Sequence, residues 1–364
     1  MKASSDAGPP QGASAPSGGS AVRAATSVGV TRILVIKLSS LGDVVHTMPA
    51  VQDMRRALPD AQIDWVVEEA FAPLVARCEG VHRVIPCALR RWRKSFWTTG
   101  TRIEWQAFRQ SLRLEAYDAV IDLQGLVKSA VVARLARLAA GGKRYAMANA
   151  TDGSSYEAPT RWLADVALPM ERHVHAVQRS RQLCAGVFGY AEGFLEEYGL
   201  VAGVNRSLFA INNVANKNIV LVMSSSRVDK LWPTGHWQAL AVRLIEAGYA
   251  LQLVHGNDAE EAACHALAQA VRCAVLPRLG LDALTDALAA CDGCIGVDSG
   301  VSHIAVALGL RHVQIYNFDT AWRTGPQGAG LDVRPRQVSV FARPAPTVDA
   351  VWQAWLTVQS ETLP

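Results

Sequence analysis

The chain has 364 residues, of which 50% are apolar and 19% charged, and its formal net charge is +4. That composition suits a globular protein, and the length exceeds what one core usually holds, so two domains are expected. The modest charge argues against a nucleic-acid binder, and no apolar run reaches the roughly 18 residues of a membrane span.

Residues 1–30 are mostly Ala, Gly, Pro and Ser with no aromatic. They cannot build a core and read as a disordered extension, without the continuous apolar stretch of a secretory signal. From residue 31 onward strand and helix patterns alternate. ILVI (33–36) is a buried strand, and 44–57 a helix that Pro49 could bend or delay. IDWVV (63–67) and VHRVI (81–85) are strands, and 102–115 is an amphipathic helix. YDAVIDL (117–123) is a strand, 127–137 a helix and KRYAM (143–147) a strand. No clear pattern runs through 149–170, and 173–187 is helical. The irregular segment 189–217 holds the expected domain boundary, near residue 200.

A second series then begins. NIVLVMS (218–224) is a strand, and Pro233 opens a helix to about Ala247. LQLVHG (251–256), CAVL (273–276), GCIGV (293–297) and HVQIY (312–316) are strands, separated by helices over 258–270, 281–291 and 301–309. A last helix, 348–358, could pack back across onto the N-terminal domain. Such βαβ series imply an α/β fold of two doubly wound, mostly parallel sheets, spanning 31–200 and 201–347. Ligands would bind between them, at the carboxyl ends of the strands.

Three motifs fall at such ends. The first is Lys37–Ser39–Ser40–Leu41–Gly42–Asp43. Gly42 permits a tight turn or a close approach, and Asp43 is either a helix cap or a general base facing the cleft. The second is Ser224–Ser225–Ser226 with Lys230, where hydroxyls, backbone N–H groups and a point charge could hold phosphate oxygens, or where the loop is simply solvated. The third is Asp298–Ser299–Gly300 with His303, a turn into a helix N-terminus that suits an anion. Asp298 could equally cap that helix, and His303 could be a packed, hydrogen-bonded histidine.

The seven cysteines show no repeated CxxC and read as buried free thiols, which fits a reducing cytoplasm. No His/Cys cluster suggests a metal. Between His82 and Arg113 there are eight Lys or Arg and one acid, with LRRWRKSFW densest. Basic residues mixed with tryptophan suggest an anionic partner or a membrane surface, against the plainer reading of a solvated face with two anchoring aromatics. Two phosphate-type turns in one half and an acid in the other point to group transfer from a phosphorylated donor.

KLSSLGDVVHTMPA, YDAVIDLQGLVKSA, DKLWP and GVDSGVSH, in that order, resemble the ADP-heptose:lipopolysaccharide heptosyltransferases over about residues 31–330. DAVIDLQGLVKSA and RRWRK favour the heptosyltransferase I branch. The resemblance implies a GT-B fold and a metal-independent, inverting transfer without a cofactor. ADP-L-glycero-β-D-manno-heptose would be the donor and Kdo2-lipid A the acceptor, at the cytoplasmic face of the inner membrane. It implies Asp43 as catalytic base. Ser225, Ser226, Lys230, Ser299, Gly300 and His303 would lie at the donor diphosphate and sugar, Asp298 at heptose hydroxyls and Glu260 at the ribose. Lys37 and Gly42, with Arg90, Arg91 and Arg93 assigned by region, would meet the acceptor. Serines stand at 225, 226 and 299 where the family pattern has threonine, which keeps the hydroxyl. The residues alone leave open a related transferase with another acceptor, or a nucleotide-sugar-binding protein without catalysis.

Overall fold

The computed structural model describes residues 31–193, 197–203, 217–327 and 335–359. The extension read over 1–30 and most of the expected linker, 204–216, lie outside the described residues.

The first series runs β1 (Arg32–Ile36), α1 (Leu41–Val45), α2 (Met48–Ala57), β2 (Gln62–Glu68), α3 (Ala72–Val75), β3 (Val81–Cys87), α4 (Leu89–Trp92), α5 (Thr99–Arg113), β4 (Tyr117–Asp122), α6 (Val127–Leu135), β5 (Leu138–Met147), α7 (Thr160–Leu163), β6 (Val166–Leu168) and α8 (Ala176–Phe188). The second runs β7 (Asn218–Val222), α9 (Thr234–Glu246), β8 (Ala250–Leu253), α10 (Asp258–Ala270), β9 (Ala274–Val275), α11 (Leu281–Ala289), β10 (Gly293–Val297), α12 (Gly300–Ala307), β11 (Arg311–Tyr316), α13 (Ala321–Thr324), β12 (Gln337–Phe341) and α14 (Val348–Gln359).

Each series makes one six-stranded sheet, in the orders β3-β2-β1-β4-β5-β6 and β12-β11-β10-β7-β8-β9. All the sheet pairings are parallel. Counted from its own first strand, each sheet has the same order. Each therefore reverses direction at one place, between β1 and β4 and between β7 and β10. The carboxyl ends at such a reversal leave a crevice that two diverging loops line. Central strands of parallel sheets are covered on both faces, which is why β1 is a run of β-branched and leucine residues with Ile33 to Ile36 fully buried.

The halves are not separate cores. One apolar cluster joins Val44, Val45 and Met48 of the first series to Val220, Leu288, Ile304 and Ala305 of the second. Arg77 crosses to Asp286 of α11 through two hydrogen bonds of 2.5 and 2.8 Å.

The structure departs from the sequence reading in four places. The helix expected over 44–57 is two helices, α1 and α2. Pro49 has no N–H to give the Val45 carbonyl, and the chain restarts with Pro49 in the first turn of α2. The unplaced stretch 149–170 contains α7 and the edge strand β6, and a sixth strand, β12, follows HVQIY. Helix α14 does not lie across the two halves as expected. Its Val351, Trp355 and Val358 are buried in the core of the second sheet, with Ile219, Leu240 and Ile315. All seven cysteines are free thiols.

Candidate active site

Strand β1 ends at Ile36, and the loop that follows carries its polar residues to the crevice. Gln124, just past β4, fixes that loop by accepting from the N–H groups of Leu38 and Ser39, both at 3.1 Å. Asp43 lies in the first turn of α1, and its two carboxylate oxygens do different work. Oδ2 accepts from the Ser40 N–H at 3.1 Å and from the Ser40 hydroxyl at 2.8 Å, the backward reach of a capping box. Oδ1 faces Lys37 Nζ at 3.8 Å and Arg179 Nη2 at 3.7 Å. The side chain keeps 35% exposure and lines a cavity of about 270 Å³.

Burial pushes the Asp43 carboxyl up, but Lys37, the Ser40 hydrogen bonds and Arg179 outweigh it and hold it below its usual value. Lys37 behaves in the opposite way. It is buried, and desolvation brings its ammonium down to about 8 although Asp43 and Asp122 favour the charge. Its Nζ donates to the Leu123 carbonyl at 3.0 Å. Arg179, from α8, donates to Thr151 Oγ1 at 3.1 Å, and its buried Nε has no partner among the described residues. Arg323 enters the same cavity from the second series and donates to the Gly153 carbonyl. Two cations thus face one carboxylate, and a third lines the same cavity.

The second series supplies the other wall. Asp298, at the end of β10, sits between Lys230 Nζ at 2.5 Å and His303 Nε2 at 3.3 Å. Burial works against its charge, yet His303 and Lys230 hold the carboxyl well below its usual range. His303 Nδ1 meets His46 Nε2 from the first series at 3.3 Å. The Ser225 hydroxyl donates to the Asp298 carbonyl at 3.0 Å, and Ser226 is exposed beside it. Ser299, not Asp298, caps α12.

The family described as "Glycosyltransferase family 9 (heptosyltransferase)" matches residues 105–348. The chain belongs to glycosyltransferase family 9. It is 38% identical over 298 residues to lipopolysaccharide heptosyltransferase 1 of Pseudomonas aeruginosa, covering 82% of this chain and 81% of that one. It is 36% identical over 305 residues to the protein of the same name from Escherichia coli K12, covering 82% and 89%. The solved structure of E. coli heptosyltransferase WaaC with ADP matches 89% of this chain and 98% of its own, with a TM-score of 0.76 and 33% identity. The architecture is therefore GT-B, two Rossmann-like halves facing a cleft.

Within this heptosyltransferase-family chain, Asp43, Lys37, Lys230, Asp298 and His303 gather at the two facing switch points. Other candidates fall elsewhere or do something different. Gly42 and Gly300 are the points where α1 and α12 touch. A Cβ on Gly42 would lie 2.7 Å from His303 Cδ2, and one on Gly300 would lie 2.7 Å from Leu41. His303 is packed, with both ring nitrogens engaged. Glu260 is engaged at the start of α10, accepting from Gly256 N and Asn257 Nδ2 at 2.7 Å each. Arg91 is held between Glu69 and Glu104 at about 3.0 Å on each side, so its charge is spent locally. Arg90 and Arg93 are exposed near it. Among the described residues no group of three or more His, Cys, Asp or Glu is placed to hold a metal ion.

Sequence reasoning missed Arg179, Arg323, Gln124 and His46. Gln124 carried a signal, since it follows a strand end beside Gly125. The two arginines carried none, because a guanidinium on a helix or loop usually marks a solvated face.

Proposed function

We propose that this chain transfers L-glycero-D-manno-heptose from ADP-heptose to a Kdo hydroxyl of Kdo2-lipid A, in lipopolysaccharide inner-core synthesis. The observation that carries this reading is the division of the Asp43 carboxylate. One oxygen is fixed on Ser40, and the other faces a cationic cavity beside the donor half.

The acceptor is an acidic sugar. Lys37, Arg179 with its unpaired Nε, and Arg323 line one cavity and would bind a carboxylate there, which guanidinium groups favour. When an acceptor anion draws Lys37 and Arg179 away from Asp43, the interactions that depress its pKa weaken and it becomes a better base. Asp43 then takes the hydroxyl proton as the acceptor oxygen attacks the anomeric carbon. The C–O bond to ADP breaks on the opposite face, so configuration inverts. Ser225, Ser226, Lys230, Ser299 and the N–H groups at the start of α12 stabilise the departing diphosphate. Lys230 would turn from Asp298 to the phosphates, freeing an Asp298 oxygen for heptose hydroxyls, and Glu260 would share its carboxylate with the ribose. This route requires no metal and no cofactor. Arg90 and Arg93 are left for the phosphates of the lipid acceptor at the cytoplasmic face of the inner membrane.

The test is mass-spectrometric detection of heptosylated Kdo2-lipid A, with and without chelator. Asp43→Asn is expected to lower kcat by at least about 100-fold while donor affinity stays within a few-fold. Near-normal turnover by that variant would remove Asp43 as the base. Donor hydrolysis without transfer would sink the acceptor assignment.

A further inference from the structure

The segment joining α4 to α5 leaves the carboxyl end of edge strand β3. In a parallel sheet that is the same rim from which the Asp43 loop leaves β1, two strand spacings or roughly 10 Å along the sheet. The segment's base is anchored. Trp92 is buried against Trp105 and Phe108, and its Nε1 donates to Glu104 at 2.6 Å. Its tip is not. Trp97 is 82% exposed and Phe96 60% exposed, their rings edge to face at 5.4 Å, and Ile103 on the first turns of α5 is 62% exposed.

A tryptophan so exposed, set against a second exposed aromatic rather than on the core, departs from ordinary surface. The charge around it is one-sided. Residues 90–102 carry five Lys or Arg and no acid. Arg91 is neutralised by Glu69 and Glu104, which leaves Arg90, Arg93, Lys94 and Arg102. No described helix is long and apolar enough to cross a membrane. Aromatic rings at a protruding turn, ringed by cations, match the headgroup layer of an anionic membrane, where indoles settle and lipid phosphates attract Lys and Arg.

We propose that this tip docks the protein on an anionic lipid bilayer, with Phe96 and Trp97 entering the headgroup region and the four cations meeting lipid phosphates. The docking would set the rim that bears Asp43 against the membrane. Its purpose rests on the lipid acceptor proposed above, but its measurement does not.

The full chain is sedimented with vesicles of phosphatidylcholine alone or with added phosphatidylglycerol. Binding is expected only to the anionic vesicles, and equal binding to both would overturn the charge assignment. Phe96→Ser/Trp97→Ser is expected to weaken anionic-vesicle binding by roughly tenfold or more, with an unchanged melting temperature. Lys94→Glu is expected to weaken it several-fold and to flatten its salt dependence. Unchanged binding by the aromatic variant would overturn the proposal. So would loss of turnover by that variant on a water-soluble, deacylated acceptor, since the tip would then be touching the sugar. If the wild-type chain transferred no heptose to any acceptor, the vesicle comparison would still decide the docking surface.

Discussion

Lys37 carries a charge that its surroundings barely support. Its ammonium is 3.0 Å from the Leu123 carbonyl and 3.8 Å from Asp43 Oδ1, and burial lowers its pKa to about 8. The cation is therefore present below that pH and disappears as pH rises through it, well before an ordinary lysine would titrate. Asp43 is shifted below its usual value and stays ionised throughout the neutral range. If Lys37 helps to hold an acidic acceptor, kcat/KM for the acceptor falls as pH rises through about 8, and the alkaline limb belongs to Lys37. Lys37→Arg keeps its charge and should flatten that limb in a pH–rate profile. A limb that stays at the same pH in this variant would assign the titration to another group. Arg179→Ala and Arg323→Ala are each expected to raise the acceptor KM by roughly tenfold or more while leaving donor binding near normal, because each removes a charge-assisted donor from the cavity.

Among the elements, the meeting of α1 and α12 was the least legible. Gly42 and Gly300 read as a tight turn and a phosphate grip, because sequence shows a glycine's freedom but not what approaches it. Here two helix starts from opposite halves of the chain come together without β-carbons between them. Gly300→Ala would drive a methyl into Leu41, whose Cβ, Cγ and Cδ2 would all lie 2.7 Å from the added carbon. The expected cost is about 1–3 kcal/mol, read from denaturant unfolding. A variant as stable as the parent would show that the two helices separate freely. The buried central strands β1, β4, β7, β10 and β11 were legible, because continuous apolar runs survive both-face burial. Of the four edge strands, β3 and β9 were read from VHRVI and CAVL, whereas β6 and β12 were not, since their half-buried residues, such as Val166 and Val338, lie in stretches without a clear strand pattern. Asp43 was legible as an acid at a strand end; of its two open readings the cap is made by Oδ2 on Ser40, and Oδ1 is left facing Lys37 and Arg179, where the proposed base would act.

At the scale of the whole molecule, three histidines are held neutral. Burial lowers His175 to about 4 and His312 to about 3, and it lowers His46 well below its usual value, with His303 adding to the effect. Their folded pKa values lie below the unfolded value of about 6.5, so below that pH the unfolded chain binds the extra protons. Stability should fall as pH drops from about 6.5 toward 4, by at most roughly 4 kcal/mol per pH unit when all three contribute. Denaturant midpoints at about pH 7, 6 and 5 measure this, and a flat series would mean that these rings are protonated in the folded protein. His46 meets His303 across the two halves, so the cost of charging the buried His46 falls on that contact.

Arg323 and Thr324 belong to the C-terminal half, yet they wall the cavity that holds Asp43. The cavity therefore has its complete set of cations, Lys37, Arg179 and Arg323, only while the halves are together. If the proposed acidic acceptor binds there, selectivity for it and readiness to transfer become a single event, and a gaping enzyme would have neither.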